Sequence, residues 1–298
     1  MSSGRATVTA PATGLRRTCD LAGGLFLLAV VVNTTLLATI RSVWIDLPLA
    51  IVQALLLLGC QEVKHLAAHR SFLSHRGLND LAGNACASLI GENFTAFRYF
   101  HFKHHLATCN DDDPEGCLYA LSWRTRWIWA LAPLEVFWVA FHLNRVGGGL
   151  VPADRRAAHR LSTVSWLLCA TAIALACWLA PHAFFWAYAI PLCISGWIDF
   201  PLTQAEHYGT AVAPAGTRRA AGELAHDLTL PFGLGWVMLH RSLHRVHHRQ
   251  PNAAWIAAPD RLREDASAVP VAYADFARRW LREGPRLWLT PTVAKADS

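Results

Sequence analysis

Charge is what this sequence has least of. Asp, Glu, Lys and Arg make up 16% of its 298 residues, against about 25% in an ordinary soluble domain. With 53% of residues hydrophobic, disorder is excluded and a water-soluble globule is disfavoured. The eight cysteines show no C-x-x-C spacing, so free thiols are expected rather than a disulfide frame. H-E-x-x-H is absent as well, which removes the protease-type zinc helix. The net charge of +6 comes from basic residues that flank apolar runs with no nucleic-acid motif, so a nucleic-acid partner is not expected.

Long apolar runs are what the chain has instead. Leu21 to Ile40 is 20 residues without a charge, and about 20 suffice to cross a hydrocarbon core. No small-residue cleavage site follows it, so it reads as a span, not a signal peptide. Leu47 to Cys60 is shorter but extends at both ends, and Leu161 to Ala180 with Ala183 to Phe200 forms a second pair. Two membrane-spanning hairpins are therefore predicted. Trp127 to Phe141, interrupted by Pro133 and Glu135, reads as an amphipathic segment lying in the interface.

The turn of the first hairpin holds only Arg41 and that of the second no basic residue, whereas Arg16, Arg17, Lys64, Arg70, Arg155 and Arg156 lie on the other side. The positive-inside tendency then places both termini and the segment between the hairpins in the cytoplasm. The domain reading is a tail over residues 1–20, one membrane domain over 21–285 and a tail over 286–298.

Against this apolar background the 15 histidines are unevenly placed. "KHLAAHR" sets His65 and His69 four apart, "HFKHH" places His101 before His104 and His105, and "LHRVHH" repeats that spacing with His244, His247 and His248. Residues three and four apart share a helix face. His207 in "QAEHYG" could add a ninth imidazole. Because each hairpin returns the chain to the side it left, all nine fall on one membrane face.

One H-x-x-x-H is usually chance, and one H-x-x-H-H could be a solvated basic patch. Together, in so apolar a chain, they point to metal. Nine candidates are too many for one zinc and suit two ions with open positions. Imidazole also suits iron and copper; an all-histidine iron pair is the reading adopted, although spacing does not separate it from other metal pairs. The rival is a soluble carboxylate di-iron bundle built on E-x-x-H, with Glu62 before His65 and Glu223 before His226. It leaves both H-x-x-H-H boxes unexplained.

H-x-x-x-H followed by two H-x-x-H-H boxes, interleaved with hairpins, resembles the membrane fatty acid desaturase and hydroxylase superfamily over roughly residues 60 to 255. "HHLATCNDDDPEG" and "HRVHHRQPN" are similar to its second and third boxes. The resemblance implies an all-α integral membrane protein. Its four transmembrane helices would form a stem, and its cytosolic helical cap would hold a di-iron site. Two Fe2+ ions would use O2 to attack an unactivated C–H bond of an acyl or lipid-like chain.

By motif position His65 and His69 match the first box, His101, His104 and His105 the second, and His244, His247 and His248 the third. His207 matches an additional ligand. No catalytic residue beyond the metal ligands is expected. Glu62, Asp113, Glu206 and Asp227 are candidates to orient the outward ring nitrogens, and His240 would share the helix face of His244.

Desaturation is the reading preferred here. Hydroxylation of an alkyl, acyl or carotenoid-type substrate is the alternative, because "HYG" at His207 resembles membrane alkane hydroxylases. No cytochrome b5-like H-P-G-G, flavin or ferredoxin pattern is present. Electrons are therefore expected from an external ferredoxin, rubredoxin or cytochrome with its reductase, docking on the basic face. The expected setting is the bacterial inner membrane, with membrane lipids around the stem. A non-enzymatic metal carrier would hold its ionisable ligands inside the spans, and an inactive scaffold would not need intact boxes.

Overall fold

The computed structural model describes residues 13–117 and 126–284; residues 1–12 of the expected N-terminal tail and the whole expected C-terminal tail lie outside them. The chain runs through α1 (Thr13–Thr39), α2 (Val43–Ala68), α3 (Arg76–Leu89), α4 (Phe94–Ala107), α5 (Ala132–Leu150), α6 (Arg156–Leu179) and α7 (Pro181–Glu206). Helix α7 contains a π turn at Phe185–Ala189. Shorter helices follow as α8 (His244–Arg249), α9 (Ala258–Glu264) and α10 (Tyr273–Glu283). Among the described residues the strands are one parallel pair, Leu228–Thr229 with Val271–Ala272. The fold is all-α, as expected.

Helices α1, α2, α6 and α7 are long and apolar enough to cross a membrane. Their surfaces are built the opposite way round from a soluble helix. On α6, Leu161, Val164, Leu167 and Leu168 are exposed, while its one buried residue is Ser162. The Ser162 hydroxyl lies 2.8 Å from that of Thr95 on α4. An outward apolar face with inward hydroxyls suits a hydrocarbon surround, where backbone groups are satisfied within the helix. Between α1 and α2, Asn33 Nδ2 donates to Gln53 Oε1 at 2.8 Å, and Gln53 Nε2 donates to Thr34 Oγ1 at 2.9 Å. Contacts of this kind are each worth about 0.6 kcal/mol in a membrane.

The segment expected at the interface becomes α5. Pro133 sits in its first turn, where a missing N–H costs nothing, so it starts the helix instead of interrupting it. Leu134, Phe137 and Phe141 face outward, while Glu135 and Leu143 are buried. Helix α5 packs on α4 and α7. It approaches α4 so closely that a Cβ at Gly147 would lie 2.5 Å from the Ala96 carbonyl oxygen.

These helices deliver the histidine boxes to one place. Helix α2 spans 26 residues, about 39 Å at 1.5 Å per residue, and carries His65 and His69 at its end. Arg70 then adopts φ 60° and stops the helix. Helix α4 starts at Asn93, whose side chain accepts the Ala96 N–H at 2.9 Å.

Another expectation needs correction. His240 does not share a helix with His244: Leu239 and His240 have φ of 51° and 60°, and α8 begins only at His244. The loop over residues 210–222 is pinned across the end of the second box. Ala213 N–H donates to the Cys109 carbonyl at 3.1 Å, and Arg219 Nη2 donates to the same oxygen at 2.7 Å. Trp280 of α10 is buried among Phe200, Tyr208 and Phe276. Its Nε1–H donates to Gln204 Oε1 at 2.5 Å. The seven cysteines whose side chains are described are free thiols.

Candidate metal centre

Nine histidines converge into two groups that could each hold a metal ion. One contains His65, His69, His101, His105 and His247, the other His104, His207, His244 and His248. The partition has a helical logic. Every pair spaced i, i+4 stays in one group: His65 with His69, His101 with His105, His244 with His248. The middle histidine of each H-x-x-H-H box, His104 or His247, crosses to the other group. Residues four apart on a helix are nearly aligned, whereas His104 and His105 are rotated about 100° from each other. The sequence carried this signal, but spacing was used there only to find a face.

The ring nitrogens point inward. In the five-histidine group His65 Nε2 lies 2.9 Å from His247 Nε2, and His105 Nε2 lies 2.8 and 3.0 Å from those of His101 and His247. In the four-histidine group His244 Nε2 is 3.2 Å from His207 Nε2 and 2.9 Å from His248 Nε2, with His104 Nε2 3.4 Å from His248 Nε2. A metal–imidazole bond of about 2.1 Å separates neighbouring donors by about 3.0 Å at right angles and about 3.4 Å in a tetrahedron. The observed spacings therefore fit metal coordination. Buried His69 Nε2 makes no hydrogen bond, as a nitrogen reserved for a metal should not.

Electrostatics keep the lone pairs available. Burial first, then Arg98 and His104, pushes His69 down to about 3; burial with neighbouring imidazoles takes His105 to about 2. Burial and mutual repulsion hold His101, His244, His247 and His248 well below the usual range, and burial with His104 does so for His207. His104 differs. Burial lowers it too, but the charges of Asp113 and Glu115 and the Asp113 hydrogen bond outweigh that and push it up to about 9.

Carboxylates fix several outward nitrogens. His65 Nδ1–H donates to Glu62 Oε2 at 2.9 Å, and His104 Nδ1–H to Asp113 Oδ2 at 2.9 Å. Glu115, which sequence reasoning missed, accepts from His101 Nδ1 at 3.3 Å. The single turn Pro114–Cys117 folds back on α4, so "DDDPEG" is both a turn and a return path. His207 Nδ1–H donates to the Leu224 carbonyl at 2.6 Å, a backbone partner with no sequence signal.

The other candidates lie elsewhere. Asp227 accepts the Val246 N–H at 3.1 Å and so caps α8 instead of meeting a ring. His240 meets the Trp236 ring edge-on, with centroids 4.3 Å apart, and it belongs to neither histidine group. Glu206 reaches no outward nitrogen. It accepts from Arg241 Nε at 3.1 Å, and its other oxygen faces His244 Nε2 at 4.0 Å.

A cavity of about 110 Å³ lies against both groups, touched by His65, His101 and His244. Phe97, Phe100, Val136, Val139, Leu143 and Phe200 form an apolar side, and Glu62, Glu115, Glu206 and Arg241 a polar one.

Asp113→Asn tests the orienting partners, because it keeps the size of the side chain and removes its charge. Metal in the four-histidine group is expected to bind about 10-fold more weakly, at the low end of the range of about 10 to 100-fold for such partners. Chelator competition measures this, and an unchanged affinity would contradict it.

The model of a family described as fatty acid desaturase matches residues 42–280. No curated protein is significantly similar to the chain.

Proposed function

The chain belongs to the fatty acid desaturase family, and from that premise we propose that it is an oxygen-dependent di-iron desaturase of an acyl or lipid-like chain. The observation that carries this reading is the convergence of nine imidazoles into two groups beside one cavity, at the ends of apolar helices. In this reading His65, His69, His101, His105 and His247 hold one iron, and His104, His207, His244 and His248 the other. The irons supply reductive activation of O2, with electrons from an external ferredoxin, rubredoxin or cytochrome.

The chain itself supplies positioning. Apart from His104, buried imidazoles held in the neutral form offer their lone pairs, and Glu62, Asp113 and Glu115 hold the rings of His65, His104 and His101 in place. The phenylalanine side of the cavity keeps water from the reacting carbon and orients the chain along α4 and α5. The excess of basic residues flanking the apolar helices on the site's side supports a cytoplasmic site.

Hydroxylation gains nothing from the H-Y-G motif. Tyr208 is buried against Phe276, and its hydroxyl donates to the Gly284 carbonyl at 2.6 Å, so it supports α10 and does not line the cavity. The test is mass spectrometry of lipids from membranes that hold the iron-loaded protein and a reducing system. Loss of two hydrogens is expected. Gain of one oxygen would replace desaturase by hydroxylase, and no change across acyl and carotenoid substrates, with both irons present, would overturn the proposal.

A further inference from the structure

Between α7 and the third histidine box the chain is as apolar as the long helices. Residues 228–240 hold no Asp, Glu, Lys or Arg. We infer that residues 230–236 form a wedge that dips into the bilayer and contacts lipid acyl chains directly. This rests on α1, α2 and α7 crossing the membrane; the wedge itself is neither a span nor part of the metal site. It ends eight residues before His244, so it ties the third box to the membrane surface.

Its packing along the spans sets its depth. Met238 is buried with Leu58 of α2 and Leu202 of α7, and Leu230 and Leu234 pack against that cluster beside Leu55 and Ile198. Val237 comes closer still. A Cβ at Gly59 would lie 2.8 Å from the Val237 carbonyl oxygen and 2.5 Å from the Phe26 ring of α1, so only glycine leaves room for both. On α2 the first acid after Asp46 is Glu62, and Leu55 and Gly59 precede it by seven and three residues. At 1.5 Å per residue those positions lie about 10 and 5 Å inside the apolar run. The segment is therefore level with the ends of the spans, at the depth of about 5 to 10 Å to which interfacial elements sink.

What it turns outward is apolar. Phe232 is 98% exposed and Trp236 54%. Phe232 and Gly233 both take left-handed backbone, with φ of 56° and 71°, a conformation costly for a residue with a Cβ. In water the fold would strain Phe232 only to expose its whole ring; in lipid the ring is solvated, and a tryptophan suits the boundary beside it. The helices underneath identify the covering. They already turn Leu25, Leu28 and Val52 outward, so hydrocarbon is the solvent at this level. Backbone at that depth must bond to itself, and this one does. Leu234 N–H donates to the Pro231 carbonyl, Met238 N–H to that of Leu234 at 3.1 Å, and His240 N–H to that of Gly235 at 2.6 Å.

The wild-type full chain in nanodiscs, with phospholipids that carry a photoreactive diazirine in an acyl chain, tests this without any substitution. Peptide mass spectrometry is expected to find lipid adducts on residues 230–236 and on the outward faces of α1 and α6, but not around Ala215, which is exposed on another loop. In the same nanodiscs Phe232→Cys is expected to react with a charged methanethiosulfonate at least about 10-fold more slowly than Ala215→Cys, because hydrocarbon excludes the charge. Adducts on α1 and α6 with none on residues 230–236, or equal rates at the two thiols, would overturn the inference and leave this face to water or to a protein partner. If α1 and α6 also stayed unlabelled, the spans themselves would fall and the wedge with them, which separates the two failures.

Discussion

His104→Ala is expected to lower product formation by more than about 100-fold, the upper figure for losing a mere orienting partner, and to reduce iron from two per chain toward one. His104 is fully buried, its Nε2 faces His248, and its Nδ1–H is held by Asp113. Removing the ring deletes one donor and leaves the Asp113 carboxylate buried without that partner, so the neighbouring site has no ready substitute. The five-histidine group does not include His104 and should keep its metal. His142→Ala is the matched comparison, since that ring packs tilted against Trp138, with centroids 4.0 Å apart, and belongs to neither group. Iron analysis with product assay reads both variants. Two irons and full activity in His104→Ala would remove His104 from the site.

Lys64→Met is expected to cost about 3 to 5 kcal/mol of stability. The Lys64 ammonium lies 2.6 Å from Glu92 Oε2, with side-chain exposures of 7% and 5%, and sits over the Phe97 ring at 4.2 Å from its centre. Breaking this pair leaves Glu92 charged and buried with its partner gone. The double variant Lys64→Met with Glu92→Leu should recover most of the loss, because a buried ion pair and an apolar pair of similar volume are often close in stability. Thermal unfolding in detergent distinguishes the cases. Equal stability of single and double variants would mean that water reaches Glu92 through the cavity.

Much of this was legible in the residues themselves. Uncharged runs of span length announced α1, α2, α6 and α7, and the 3- and 4-residue spacings brought out eight of the nine converging histidines, while His207 entered only as an additional imidazole after the second hairpin. Glu62 could be found because it lies one turn before His65, and Asp113 because it follows the second box in a turn. Glu115 escaped notice, since nothing in "DPE" says that the chain folds back far enough for both acids to reach α4. His240 was misread because its four-residue spacing from His244 suggested one helix, whereas a left-handed backbone intervenes.

What the sequence determined by itself is the set of histidines and the side on which they gather. Helical periodicity fixes a face and each hairpin returns the chain to its origin, and both are local properties. What only the tertiary structure decided is how the rings divide five and four, which carboxylates meet them, and that α10 supports the end of α7. Those outcomes depend on how α2, α4, α7 and α8 cross, and the crossing is set by close approaches between residues far apart in the chain, such as Gly147 against Ala96. Periodicity carries no information about such distances.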